Sequence, residues 1–152
     1  NNFGGEMIYY TIGEDDLQTI LEYPHNICIS DAGIRIQGGN DLLHPRAYGS
    51  NARVLGRYVR ELKLIRIEEA IRRMTSLPAQ HFQIKNKGLL IPGFDADIVI
   101  FDASKIQDKA TFDEPYQNSI GFHYVLVNGK IVLDKTIQTG IRPGKILKKI
   151  PL

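Results

Sequence analysis

Residues 27–50 read ICISDAGIRIQGGNDLLHPRAYGS, and the fold turns on how the first five of them are taken. Residues 26–30 form a short apolar run bounded by turn formers, the pattern of a buried strand. The run ends at Ser30-Asp31, and a loop carrying Gly38-Gly39 then leads to His44-Pro45-Arg46. A carboxylate at the end of a greasy strand, followed by a histidine and an arginine, has two explanations. Asp31 caps a turn beside a solvated loop, or the three residues are one corner of an active site whose other corners lie elsewhere.

Upstream, residues 7–11 make a tyrosine-rich, strand-like run, and Gly13-Glu14-Asp15-Asp16 follow. Acids there favour the positive end of a helix dipole, so a helix is expected through Leu17, Ile20 and Leu21, stopping before Pro24. Strand, helix, strand is the βα pattern of a parallel sheet. Downstream, Val54, Leu55, Tyr58, Val59 and Leu62 recur at spacings of three and four, which predicts a helix over 50–62 with arginines on its other face. Ile67, Ala70, Ile71 and Met74 predict a second over 66–74, ending near Ser76-Leu77-Pro78. From Phe82 the texture changes. Gly88, Pro92 and Gly93 break up short apolar runs, and DADIVIFD (95–102) is an apolar strand between acids. YVLVNGKIVL (124–133) sets Asn128-Gly129 between two β-rich runs, a strong hairpin signal because a type I′ turn needs positive φ at both central residues. The boundary falls near residue 83, with the last seventy residues mostly β, and there is no internal repeat.

The composition excludes several classes. A chain of 152 residues, 43% apolar and 24% charged, is long enough for one domain, or one with part of another, and for a real core. Nineteen basic residues against seventeen acidic ones give a net charge of +2 with no clustered nucleic-acid footprint. The tail lysines Lys145, Lys148 and Lys149 read as a solvated end. The single cysteine, Cys28, excludes an internal disulfide, and its apolar context suits a buried, inert thiol. No segment approaches the roughly 20 apolar residues of a membrane span. The opening NNFGGEM has no initiator methionine, so the lack of a signal peptide says little about compartment; a cytoplasmic location is the default expectation.

Four histidines are available, His25, His44, His81 and His123, and none forms His-x-His or His-x-x-x-His. His25 and His123 abut expected strands, and His81 suits a helix C-terminus, where its charge meets the dipole. His44, in the loop beside Pro45 and Arg46, is open to either reading. There is no Gly-x-Ser-x-Gly elbow, and GIRPGK lacks the spacing and the Ser or Thr of a phosphate loop. Cys28 lacks the basic, exposed setting of a nucleophile. That leaves Asp31: a carboxylate at the C-terminal end of a buried parallel strand is where α/β barrels keep catalytic groups.

Together the stretches ISD, HPRAYGSNARVLGRYVRE, EEAIRRMTSLPAQHF, KGLLIPGFDADIVIFD, QDKATFDEP and VLVNGKIV resemble the C-terminal part of the N-acyl-D-amino-acid deacylases (D-aminoacylases) of the amidohydrolase superfamily. The likeness runs from about Ile8 to Leu147. Gly-x-DADIVIFD marks the superfamily broadly, and the HPR stretch with ATFDEP points to the deacylase branch.

The resemblance implies an α/β fold: the C-terminal end of a metal-dependent (β/α)8 barrel over 1–83, then the C-terminal part of a small β-sandwich over 84–152. It implies hydrolysis of the amide of an N-acyl-D-amino acid. Asp31 matches the carboxylate after the eighth barrel strand, which shuttles a proton for the attacking water, and is also a weak candidate metal ligand. Arg46 matches the arginine placed to hold the substrate carboxylate, with His44 beside it. Two departures stand out. The loop from Asp31 to His44 is longer than the family's, and the family's other metal ligands have no counterpart in this sequence. Zinc or another divalent metal is therefore expected in the complete enzyme, with none held by this chain alone. Barrels of this kind take about 250 residues, so self-association, or completion by the N-terminal part of the same enzyme, is expected. A cyclic amidase of hydantoinase or dihydroorotase type is the rival within the superfamily, and a non-catalytic interaction fragment is the rival outside it.

Overall fold

Gly13 and the acids after it start a helix as expected. The computed structural model describes residues 8–33 and 43–147, and its first helix, α1, spans Glu14–Glu22. The Asp16 carboxylate accepts the Gly13 N–H at 3.2 Å, and three acids in the first turn favour the dipole. Pro24 follows at once and stops the helix, because the residue before a proline is pushed out of helical geometry.

Helix α2, Arg46–Arg53, begins four residues earlier than the apolar spacing alone predicts. Pro45 explains the early start: its φ of −52° is already helical. The chain then widens without a break into a π-helix, Val54–Glu61, where the Leu62 N–H reaches back to the Arg57 carbonyl at 2.8 Å. One face of this continuous rod lies against residues 103–110. A Cβ on Gly56 would sit 2.7 Å from the Ile106 carbonyl oxygen, so only glycine permits the approach. Arg60 donates to that same carbonyl, and Arg53 pairs with Asp108 at 3.2 Å.

Helix α3 runs Ile67–Met74, and α4, Ser76–His81, follows after Thr75. The expected stop at Pro78 is instead a new start. Pro78 is the third residue of α4, where an N–H would have no helical partner anyway.

Four strands follow in one antiparallel sheet, ordered β1-β2-β3-β4 as in sequence: Ile98–Phe101, Phe122–Val127, Lys130–Asp134 and Ile137–Gln138. The β2–β3 turn is the expected one, with Asn128 at φ 47° and Gly129 at φ 72°. The acids before β1 anchor that turn. Asp97 accepts the Asn128 N–H at 2.8 Å while binding Lys87, which also meets Asp95 at 3.0 Å. The Asp-Ala-Asp triplet thus ties the 87–97 loop to the hairpin.

Two expected strands are absent. Residues 26–30 and the described residues 8–11 form no strand, and no parallel pairing exists among the described residues. Met7 and the Gly38-Gly39 loop lie outside them. The physical reason is that a strand is defined by a neighbour, and among the described residues 26–30 has none beside it. It takes one backbone bond to a helix instead, Cys28 N–H to the Arg73 carbonyl at 3.2 Å, and Ile29 is 73% exposed.

The core is a seam between the helices and the β1–β2 end of the sheet. Ala52, Leu55, Ala70 and Ile106 are its buried centre, with Phe101 and Phe122 packed against them. It therefore draws on both sides of residue 83. Ile106 is gripped from both faces: a Cβ on Gly121, at φ 90°, would lie 2.5 Å from the Ile106 Cα. Away from the seam the sheet is open, with Val99, Ile100 and Ile137 exposed. No helix among the described residues is long and apolar enough to cross a membrane.

Candidate active site

The segment after α1 carries Asp31 into place without a ladder. The last turn of α3 holds it: Arg72 donates to the Pro24 carbonyl at 2.8 Å, and the buried Arg73 donates to the Leu21 carbonyl. Both arginines converge on Glu69, at 2.8 and 2.7 Å. Their hydrogen bonds, Arg72's first and then Arg73's, hold the Glu69 carboxyl down at about 2. Cys28 beside them is half-buried, and burial pushes its thiol up against the pull of Arg73. A protonated thiol is a poor nucleophile, in keeping with the inert role read from its neighbours.

At Asp31 the backbone turns through φ 49°, a left-handed conformation that aspartate tolerates better than most residues. Its carboxylate meets the Arg46 guanidinium at 3.1 Å, and both side chains are open to solvent at 77% and 47%. Arg46 is the first residue of α2, and its own N–H donates to His44 Nδ1 at 3.0 Å. His44 is held below its ordinary value, first by partial burial and then by the Arg46 cation. It is neutral at pH 7, with Nδ1 unprotonated and the ring proton on Nε2. The His44 ring stands edge-on to Phe112, centroids 5.1 Å apart, and Phe112 in turn meets Tyr10 at 5.1 Å.

The structure thus brings Asp31, His44 and Arg46 together, across a loop whose middle lies outside the described residues. His25, His81 and His123 lie elsewhere. Sequence reasoning passed over Phe112, whose signal was an aromatic lodged among the turn formers of ATFDEP. Beside Arg46 opens a cleft of about 430 Å³ between α2 and the sheet, lined by Ser30, Ser50, Asn51, Asn118 and Lys135 among others. A second hollow, of about 360 Å³ at Val59–Glu68, holds none of these candidates.

A carboxylate and an arginine beside a cleft can move a proton and hold an anion. Among the described residues no three of His, Cys, Asp and Glu converge on a point.

A family model described as the amidohydrolase family matches residues 27–133. The chain belongs to the amidohydrolase family. It is similar to the N-acyl-D-glutamate deacylase of Alcaligenes xylosoxydans xylosoxydans, 41% identical over 144 residues, 93% of this chain and 28% of that one. Its structure superposes on a crystal structure of D-aminoacylase with a TM-score of 0.85 at 37% identity, covering 91% of this chain and 28% of that one. The N-acyl-D-glutamate deacylase of Bordetella bronchiseptica, solved with zinc and a phosphonate mimic of the tetrahedral intermediate, gives 0.81 at 42% identity, with 91% and 28% covered. A dihydroorotase of Lactobacillus johnsonii is 48% identical over 91 residues, 60% of this chain and 20% of its own. This amidohydrolase chain spans about 28% of the length of the deacylases it matches.

Proposed function

We propose that this chain is the carboxylate-and-arginine corner of a hydrolase that cleaves the amide of N-acyl-D-amino acids. In this reading residues 1–83 are the last elements of a (β/α)8 barrel and 84–152 the C-terminal part of a small β-sandwich. Likeness to deacylases over nine-tenths of the chain, against 60% for the dihydroorotase, favours the linear amide over a cyclic one.

The observation that carries the reading is the Asp31–Arg46 contact of 3.1 Å at the cleft mouth. An ion pair this exposed is worth about 0–1 kcal/mol, so a better anion displaces one partner at little cost. The α-carboxylate of the substrate is such an anion, since a planar guanidinium grips a carboxylate through two parallel bonds. Its arrival on Arg46 frees Asp31 to take a proton from the attacking water and return it to the leaving amine. His44, bound to the Arg46 amide through Nδ1, lends the substrate site its shape. The cofactor in this reading is zinc or another divalent metal of the complete enzyme, with Asp31 the candidate ligand from this chain and the other ligands outside it.

In the complete enzyme, where bound substrate covers Arg46, Arg46→Ala is expected to cost about 2–5 kcal/mol of substrate interaction, as loss of one partner of a buried charge pair does. Arg46→Lys rescues little, because an ammonium has no fork. Asp31→Asn lowers kcat with a smaller effect on KM. The test compares kcat/KM for an N-acyl-D-amino acid with that for its uncharged carboxamide analogue. Equal discrimination by wild type and Arg46→Ala would remove Arg46 from the carboxylate.

A further inference from the structure

The geometry points to Phe112 as a positioning residue for Arg46, acting through the His44 ring. Its functional meaning rests on the reading of Arg46 as the carboxylate grip, though the contacts stand without it. Phe112 sits in a closed turn: the Thr111 N–H donates to the Glu114 carbonyl at 3.2 Å, and the Glu114 N–H to Thr111 Oγ1 at 2.9 Å. Gln117 donates to the Glu114 carboxylate at 2.6 Å and braces the far side. A ring on so constrained a turn makes a firm stop for whatever leans on it.

His44 leans on it with 76° between the ring planes, the T-shaped arrangement that sets the positive rim of one ring against the negative face of the other. Tyr10 packs on Phe112 at 52°, completing a row of three rings. Fixing the imidazole plane fixes the direction of the Nδ1 lone pair. That lone pair receives the Arg46 N–H, the first amide of α2, which no helical carbonyl can satisfy. His44 thus caps α2 as a polar side chain does, and the cap sets where the helix starts and where the guanidinium leaves it. Rotating the imidazole releases the amide, frays the first residue and turns the fork away from the cleft.

The test is nitrogen NMR on the 15N-labelled chain. Wild type is expected to show His44 as a single Nε2–H tautomer and the Arg46 amide as protected from exchange. Phe112→Leu should mix the tautomers and speed Arg46 amide exchange about two- to tenfold, the weight of one aromatic edge contact. Phe112→Tyr should restore both, and the Ala70 and Ile106 signals of the core should stay put throughout. A wild-type His44 protonated at Nδ1 overturns the proposal, as does Phe112→Leu leaving both signals unchanged. Should leucine unfold the chain, Phe112→Met keeps the volume without the ring and decides on the same two signals. None of these readings depends on carboxylate discrimination by Arg46→Ala, so either idea can fail alone.

Discussion

Replacing Glu69 with glutamine removes the partner of Arg73, the buried charge among the described residues. Arg73 is 2% exposed, with Nε on Glu69 at 2.7 Å and a terminal nitrogen on the Leu21 carbonyl. Arg72 lays two more bonds on Glu69, each 2.8 Å. A carboxyl drawn from 4.5 to about 2, at about 1.4 kcal/mol for each pH unit, represents about 3 kcal/mol. Glu69 is 29% exposed, and solvent screening trims that to about 2–3 kcal/mol. Stripping the partner from a buried charge typically costs about 3–5 kcal/mol, and a half-open site belongs at the low end. Glu69→Gln is therefore expected to lose about 2–3 kcal/mol at pH 7 by urea unfolding. The pH dependence has a definite sign. The folded value lies below the unfolded one, so the contribution is complete above about 4.5 and fades as pH falls toward about 2. The gap between wild type and variant should be the same at pH 7 and pH 6 and roughly halved by pH 3. A gap unchanged at pH 3, or one within about 0.5 kcal/mol at pH 7, refutes the argument.

Gly121→Ala should destabilise by about 2–4 kcal/mol, because the new Cβ meets the Ile106 backbone at 2.5 Å. Gly140→Ala, at φ 76° in open space, isolates the left-handed strain and should cost only about 1–2 kcal/mol; equal costs in urea unfolding would mean the Ile106 grip is absent. The purified chain should self-associate, since Ile29, Leu90, Ile100 and Ile137 expose apolar surface and β1 is an edge strand among the described residues. Light scattering that returns a monomer at all concentrations counts against that.

Local chemistry was readable from sequence wherever a few neighbouring residues decide the outcome. The Asn128-Gly129 hairpin and the acidic start of α1 are such cases, since φ preference and dipole act within four residues. What failed was non-local. Residues 26–30 have the composition of a strand, but pairing depends on another segment, and no local pattern reveals whether one is there. The π-helix escaped because eight residues are too few to separate its period from that of an α-helix. At the site, Asp31, His44 and Arg46 were picked out by residue type beside breaks in apolar runs. Phe112 was not, because its contact with His44 joins distant parts of the chain and leaves no trace in spacing.

The two halves of the ion pair are held by different side chains. Asp31 is placed from behind by α3, through Arg73 on the Leu21 carbonyl, Arg72 on the Pro24 carbonyl and the Cys28 amide on the Arg73 carbonyl. Arg46 is placed from the other side, by His44 on its amide. The contact between them is worth at most about 1 kcal/mol at such exposure, too little to set either position. It follows that the pair reports an alignment made elsewhere. In the proposed function a substrate carboxylate would replace Asp31 on Arg46 without disturbing the frame, because the contacts named for that frame do not run through the pair. The two anchors meet in one core, through Ala70 of α3 and Ala52 and Leu55 of the rod that α2 begins, so any departure from additivity in a Glu69→Gln, Phe112→Leu double variant measures the coupling that core carries.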